Sequence, residues 1–203
     1  MQEYKAFNWR TVKSITESGD LEQFLQEGDQ VTLKLKNGDE ILLDFTHDQN
    51  GKAYFVFHNC YGKQRMNRVA TNMGGWRECE MRKYVTEQVL PLLPDDLMET
   101  IVQTTIRQIV NGEELQLEDK LFLLSYAQVF GGKWDDEPDD TQLEIFKLGV
   151  NRVKGNDKGD AAWWHLRTTS EDTDFCNVSS QGTPAACSAD IFSGVILAFC
   201  ITK

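Results

Sequence analysis

Apolar and polar positions alternate most clearly near the start of the chain. Val31, Leu33 and Leu35 alternate with polar neighbours as far as Asn37-Gly38, and Ile41, Leu43 and Phe45 then resume the pattern with Asp44 among them. A period of two with Asn-Gly between its halves predicts a β-hairpin on a two-residue turn. A second Asn-Gly, Asn50-Gly51, leads into Tyr54-Phe55-Val56-Phe57, so a three-stranded antiparallel meander is expected over 30–59. That period excludes a helix bundle in this part of the chain. Ahead of it, Asp20 and Gln23 signal a helix start, Gly28 a stop, and Leu21, Phe24 and Leu25 one apolar face, which predicts a short helix over 20–27.

The period changes at Arg77. Met81, Tyr84, Val85 and Val89 follow a helical spacing that Pro91 and Pro94 must end, predicting a helix over 77–90. Asp95-Asp96 suit the start of a second helix, to which Leu97, Met98, Ile101 and Val102 give an apolar side, so the helical segment spans 77–102. A strand is read at 106–110. Two capping boxes, Ser125-x-x-Gln128 closing at Gly131-Gly132 and Thr141-x-x-Glu144 closing at Gly149, predict two short helices. Between them, Trp134 and the acidic run 135–140 read as an exposed loop. In the last third, turn formers such as Gly155-Asn156, Gln181-Gly182 and Thr183-Pro184 separate short runs at 163–167, 175–179 and 195–201. The last run is apolar on both faces, which places it inside a sheet. The expected fold is a single α+β domain over 1–203, with antiparallel sheets, short helices and a loop-rich C-terminal sheet region at 103–203.

A length of 203 residues fits one domain. The chain carries 32 acidic against 21 basic residues, a net charge of −11, so nucleic acid and anionic membrane surfaces are not expected partners. No transmembrane helix is expected, because the apolar run at 195–201 is about a third of the ~20 residues needed. The first ten residues lack the apolar core of a secretory signal, which points to the cytoplasm or a phage particle. Five cysteines, Cys60, Cys79, Cys176, Cys187 and Cys200, form no C-x-x-C and read as reduced, mostly buried thiols. His47, His58 and His165 sit in no metalloprotease motif, and neither a nucleophile elbow nor a phosphate-binding loop is present. The acidic run offers oxygen ligands of the kind calcium takes, and Glu137-Pro138-Asp139 resembles the sugar-gripping tripeptide of calcium-dependent lectins. Those lectins add a Trp-Asn-Asp that this chain lacks, so the run reads as solvated charge. No metal and no cofactor are expected.

Three ordered stretches carry a family resemblance. They are Arg65-Met66-Asn67 with Gly74-Gly75-Trp76, Met81-Arg82-Lys83-Tyr84 and Leu90-Pro91-Leu92-Leu93-Pro94; Asp119-Lys120-Leu121-Phe122-Leu123-Leu124-Ser125 with Val129-Phe130-Gly131; and Trp163-Trp164-His165-Leu166-Arg167 with Val178, Gly182, Gly194-Val195 and Ala198-Phe199-Cys200-Ile201. Over about 12–202 the chain resembles a domain family of unknown function from gut bacteria and their phages, whose members read W-L-R-S and end in G-V-R-P-A-F-x-I. It departs from that ending at Ile196 and Leu197, and at His165, which interrupts W-L-R. The C-terminal pattern is in turn similar to the C-type-lectin-like fold, shared by formylglycine-generating enzymes and by variable receptor-binding proteins of diversity-generating retroelements. The resemblance implies a lectin-like arrangement without lending an activity.

Aromatic residues interleaved with Ser, Thr and Asp suit recognition loops. Trp134, Trp163, Trp164, His165, Arg167, Asp172 and Asp174 are therefore the candidate ligand-binding residues, in loops around 132–140 and 163–174. Adjacent Trp163 and Trp164 in a strand point to opposite faces, so one belongs to the core and the other is free to be exposed. Trp76 reads as a core anchor, and Arg167 as a partner of a carboxylate or a cap on carbonyls. The expected function is a non-catalytic module that binds a protein or carbohydrate ligand. The alternatives are a structural domain of a prophage particle, with self-association possible, and a thiol-dependent oxidase using Cys176, Cys187 and Cys200.

Overall fold

The computed structural model describes residues 8–110, 113–132, 134, 141–171 and 173–202. The first described element is a helix the hydrophobic pattern does not announce, α1 (Trp9–Ser18). Asn8 caps its start by accepting from Arg10 N at 3.1 Å, and Gly19 ends it in the left-handed region at φ 80°. Trp9 sits edge-on to Phe55 and Phe199, with ring centroids 5.2 and 5.9 Å away. The helix expected over 20–27 shrinks to α2 (Leu21–Phe24): Leu21 and Leu25 are buried, but Phe24 is 59% exposed and leaves the expected apolar face.

The meander forms as expected from β1 (Gln30–Lys34), β2 (Glu40–His47) and β3 (Ala53–Phe57). Its first turn is one residue longer than expected. Leu35 N donates to Asp39 O at 2.8 Å, leaving Lys36-Asn37-Gly38 as the loop with Gly38 at φ 94°. Past β3 the chain runs through β4 (Lys63–Gln64) to a broken helical segment. In place of one helix over 77–90 there are α3 (Gly75–Glu78) and α4 (Glu80–Tyr84), continued by a π-helical turn at Val85–Val89 and a 3-10 turn at Leu90–Leu92. The break at Cys79 has a physical cause: the first donors of α4 find partners outside the helix. Arg82 N donates to Cys79 Sγ, Glu80 N to Asn67 Oδ1 and Met81 N to Met66 O. The repeat of Met81, Val85 and Val89 drifts about 40° per step on an ordinary α-helix, and the wider π turn keeps all three buried.

Next come α5 (Asp95–Thr100) and a long hairpin of β5 (Thr104–Val110) and β6 (Glu113–Asp119). The acidic β6 escaped sequence reading. At its end, Asp119 joins the helical segment to the hairpin, accepting from Trp76 Nε1 at 2.8 Å and from Arg82 Nη2 at 2.7 Å. Then follow β7 (Phe122–Leu123) and α6 (Tyr126–Phe130), which carries the expected capping box of Ser125 and Gln128. The second box does not cap a helix. Leu143 precedes a 3-10 turn at Glu144–Lys147, followed by another at Gly149–Arg152. The backbone there is engaged elsewhere: Leu143 N donates to Gln128 O, Ile145 N to Thr46 Oγ1, and Arg152 to Phe146 O.

The last part comprises β8 (Lys154–Gly155), β9 (Ala161–Ala162), β10 (Trp164–Thr169), β11 (Asp174–Val178), β12 (Pro184–Ser188), β13 (Ser193–Gly194) and β14 (Leu197–Cys200). Two five-stranded sheets organise the molecule, in the orders β1-β2-β3-β14-β7 and β12-β11-β10-β13-β4. Pairings are antiparallel except β10 with β13. As its two apolar faces require, β14 lies inside the first sheet, between β3 and β7, with every side chain fully buried. The fold is thus mixed α+β with antiparallel sheets and short helices, as expected.

One buried ion pair joins the β8–β9 hairpin to the first sheet. Lys154 Nζ lies 3.1 Å from Asp44 Oδ2, with side chains 2% and 5% exposed. Asp44 also accepts from Gln30 Nε2 at 2.9 Å and contacts His58 Nδ1 at 2.8 Å. Burial pushes the Asp44 carboxyl up, but His58, Lys154 and Gln30 outweigh it and hold the carboxyl below its ordinary value. Removing one member of such a pair strands the other in low dielectric. Lys154→Met should therefore cost about 3 kcal/mol in urea unfolding. The double variant Lys154→Met/Asp44→Leu should recover most of that loss, whereas a single-variant cost under about 1 kcal/mol would show the pair to be dispensable.

Candidate functional site

A groove of about 280 Å³ opens on the second sheet. It is lined by Lys63 from β4, Asn156 from the hairpin turn, Ala161 and Ala162 from β9, Trp163, Asn177 from β11, Cys187 from β12, and Ile191, Phe192 and Ser193. Trp163, Ile191 and Phe192 are 47, 52 and 57% exposed, a grouping of large apolar side chains that folding alone does not use.

Trp163 is exposed because its neighbour is not. Trp164 turns into the core, donating Nε1–H to Arg152 O at 2.9 Å beside the Phe146 ring, and Trp163 takes the opposite face. Its mount is rigid. Gly194 N donates to Trp163 O at 2.8 Å, and a Cβ at position 194 would collide with Cys60 Sγ and lie 2.8 Å from Trp163 O. Only glycine permits that approach. The hairpin wall is fixed in turn by the Lys154–Asp44 pair, by Cys60 N donating to Gly155 O, and by Asn156 Oδ1 accepting from Lys158 N and Asp160 N.

Behind the groove lies His165, fully buried, its Nε2 3.0 Å from Gln64 O. Burial is the largest influence on its imidazole and pushes the pKa down to about 4, against hydrogen bonds with Gln64, Asn177 and Ile191. The neutral ring thus ties together β4, β11 and the loop that carries Phe192. Asn177 lies 3.2 Å from Ser193 Oγ and 3.3 Å from Cys187 Sγ. This trio is not a catalytic one: the group beside the thiol is an amide, which takes no proton at neutral pH. Burial, aided by Asp174 and Asp190, raises the Cys187 thiol to about 11, where it is a poor nucleophile. Cys176 and Cys187 face opposite sides of their sheet, since Cys176 pairs with Ala186, and Cys200 belongs to the other sheet.

The remaining candidates lie elsewhere. Arg167 is buried and caps carbonyls, its Nη1 donating to Leu123 O at 2.8 Å and Gln128 Oε1 at 2.7 Å, with the guanidinium 5.8 Å from the Phe122 ring. Trp134, half-buried against Tyr126, donates to Ser170 Oγ at 3.2 Å. Asp174 starts β11 and accepts from Thr173 Oγ1 at 2.7 Å. Trp134 and Asp174 thus stand at one end of β10 and Trp163 at the other, about 20 Å apart for a strand of this length. Asp172 and the acidic run 135–140 lie outside the described residues. Of the predicted residues that the structure describes, only Trp163 lines the groove, and Trp164, His165 and Arg167 are interior residues. Sequence reading missed Lys63, Asn156, Ile191 and Phe192. The available signal was Ile191-Phe192, an apolar pair enclosed by Asp190 and Ser193-Gly194 in a turn-rich stretch. Among the described residues, no cluster of His, Cys, Asp and Glu could hold a metal ion, and no helix is long and apolar enough to cross a membrane.

The state of His165 sets a stability window. Above pH 6.5 the imidazole is neutral whether the chain is folded or not; between 6.5 and about 4 the unfolded chain binds a proton that the folded one refuses, so stability falls as pH falls. The drop to about 4 amounts to roughly 3 kcal/mol. His165→Gln should flatten this slope in urea unfolding measured from pH 7 to 4, while a slope unchanged by the substitution would assign it to other groups. Asp44, whose carboxyl is lowered from 3.8, loses its contribution only below that window.

No curated protein matches the chain, and no solved structure does. A family model described as "Domain of unknown function (DUF6273)" matches residues 20–203, taking in both sheets and every residue that lines the groove. The chain belongs to this family.

Proposed function

We propose that this domain is a non-catalytic recognition module of bacterial or phage origin, with a C-type-lectin-like division between a packed sheet framework and ligand-facing loops. The carrying observation is the exposed Trp163 beside Phe192 and Ile191, on a groove whose walls are locked from behind. Aromatic side chains on a rigid mount provide contact area at little entropic cost, which is what binding requires of a preformed site. The protein or carbohydrate ligand expected from the loop composition is thereby moved from the 132–140 and 163–174 loops to the groove. The raised thiols of Cys187 and Cys200, and the dispersal of these two and Cys176 over different faces and sheets, argue against the oxidase reading.

A second reading, an assembly domain of a prophage particle, draws on Leu148, Val150 and Val153. These are 66, 73 and 39% exposed within and at the two ends of the 3-10 turn Gly149–Arg152, apolar side chains suited to self-association.

An array of glycans and cell-surface proteins, probed with the purified domain, separates the two. Binding should fall about 30-fold in Trp163→Ala or Phe192→Ala, the loss of a hot-spot contact, and stay unchanged in Trp134→Ala. Binding indifferent to Trp163 would move the site. A silent array together with concentration-dependent association abolished by Val150→Asp would put the assembly reading first.

A further inference from the structure

We propose that the groove takes a carbohydrate bearing a carboxylate, of the hexuronate type, with a sugar ring against Trp163 and the anionic group at the β4 end. This rests on the groove being the recognition surface and commits it to one ligand class.

The first argument is the division of chemistry between mouth and floor. Trp163 and Phe192 stand exposed at the mouth, whereas Asn177 and Ser193 form a floor that is 1 and 4% exposed and polar. Asn177 and Ser193 are bonded to each other at 3.2 Å, so the floor is a polar surface already satisfied within the protein, and the exposed rings at the mouth provide the contact area. A pyranose has the complementary construction: an apolar C–H face for the tryptophan and a rim of hydroxyls that donate and accept. Asn156 adds a donor at the wall, since its side-chain oxygen is already engaged by the hairpin turn and its NH₂ group is the remaining function.

The second argument is charge. Lys63 lines the groove and is exposed, and the Arg65 guanidinium sits 5.3 Å over the Phe192 ring. Among the described residues neither cation has a carboxylate partner, in a chain of net charge −11. The carboxylates near the groove stand on the opposite, β12 side, where Asp190 accepts from Ser188 Oγ and Asp174 from Thr173 Oγ1, each at 2.7 Å, and both act on the Cys187 thiol. The groove is therefore polarised, with negative charge at the β12 end and positive charge at the β4 end. A carboxylate there gains charge-assisted hydrogen bonds, and Arg65 can present two parallel donors to it.

The test is calorimetric titration of the whole domain with three probes: a galacturonate tetrasaccharide, the neutral galactose tetrasaccharide and a hexaglutamate peptide. The galacturonate should bind at least about tenfold tighter than the neutral sugar. Lys63→Gln/Arg65→Gln, two substitutions outside the core, should erase that preference, and Trp163→Ala should remove binding of both sugars. Equal affinity for the two sugars would overturn the anionic assignment, and hexaglutamate binding as tight as galacturonate would overturn the carbohydrate one. Binding of none of the probes, with array binding that still depends on Trp163, would overturn this ligand class and leave the groove as the recognition surface. A silent array as well would overturn both.

Discussion

Eight consecutive residues, 193–200, run from one five-stranded sheet of this molecule into the other. Ser193 and Gly194 pair with β4 and β10 in one sheet, and three residues later Leu197–Cys200 pair with β3 and β7 in the other. The chain also passes directly between the same sheets from β3 to β4, and these two passages lie side by side: Tyr61 N donates to Val195 O at 2.8 Å. Neither sheet can shift against the other without breaking strand pairings in both. Burial of both faces of β14 supplies the driving force, since fully burying a side chain such as Leu197 or Phe199 contributes about 2 kcal/mol.

The groove follows from that passage. Its floor residue Ser193 and the glycine that holds Trp163 are the last two residues of the second sheet before the chain passes into the first. Its second wall, the β8–β9 hairpin, is held to the first sheet by Lys154 and Asp44, a costly pair that buys a fixed orientation between two otherwise separate pieces. His165 completes the frame as a neutral hydrogen-bonding strut. Exposed aromatic side chains on so constrained a frame lose little freedom when a ligand arrives, which connects the packing to the proposed recognition role.

Much of the fold was legible in the residues, because it rests on local period. The meander, the two-faced 195–201 strand, the Ser125–Gln128 capping box and the division of labour between Trp163 and Trp164 all follow from spacing. What failed was decided by tertiary contact. The helix expected at 77–90 breaks because Met66, Asn67 and Cys79 satisfy the α4 donors, and the Thr141 box loses to bonds that Leu143 N and Ile145 N donate to Gln128 O and Thr46 Oγ1. The site was legible only at Trp163. His165 and Arg167 look like loop chemistry in the sequence, yet each is buried by strands whose partners lie about 40 to 100 residues away. Phe192 and Lys63 meet at the groove only because β4 and β13 pair, a contact that no local pattern encodes.

The constraint that unites these features can be measured by native-state hydrogen exchange of three amides: Gly194 and Tyr61 at the crossings, and Phe199 inside the first sheet. If residues 193–200 lock both sheets together, all three exchange only through global unfolding, with the same free energy and the same dependence on denaturant. If Gly194 and Tyr61 exchange about 100-fold faster than Phe199, through a separate opening of the second sheet, the groove is not held by the first sheet and the preformed mount for Trp163 is contradicted.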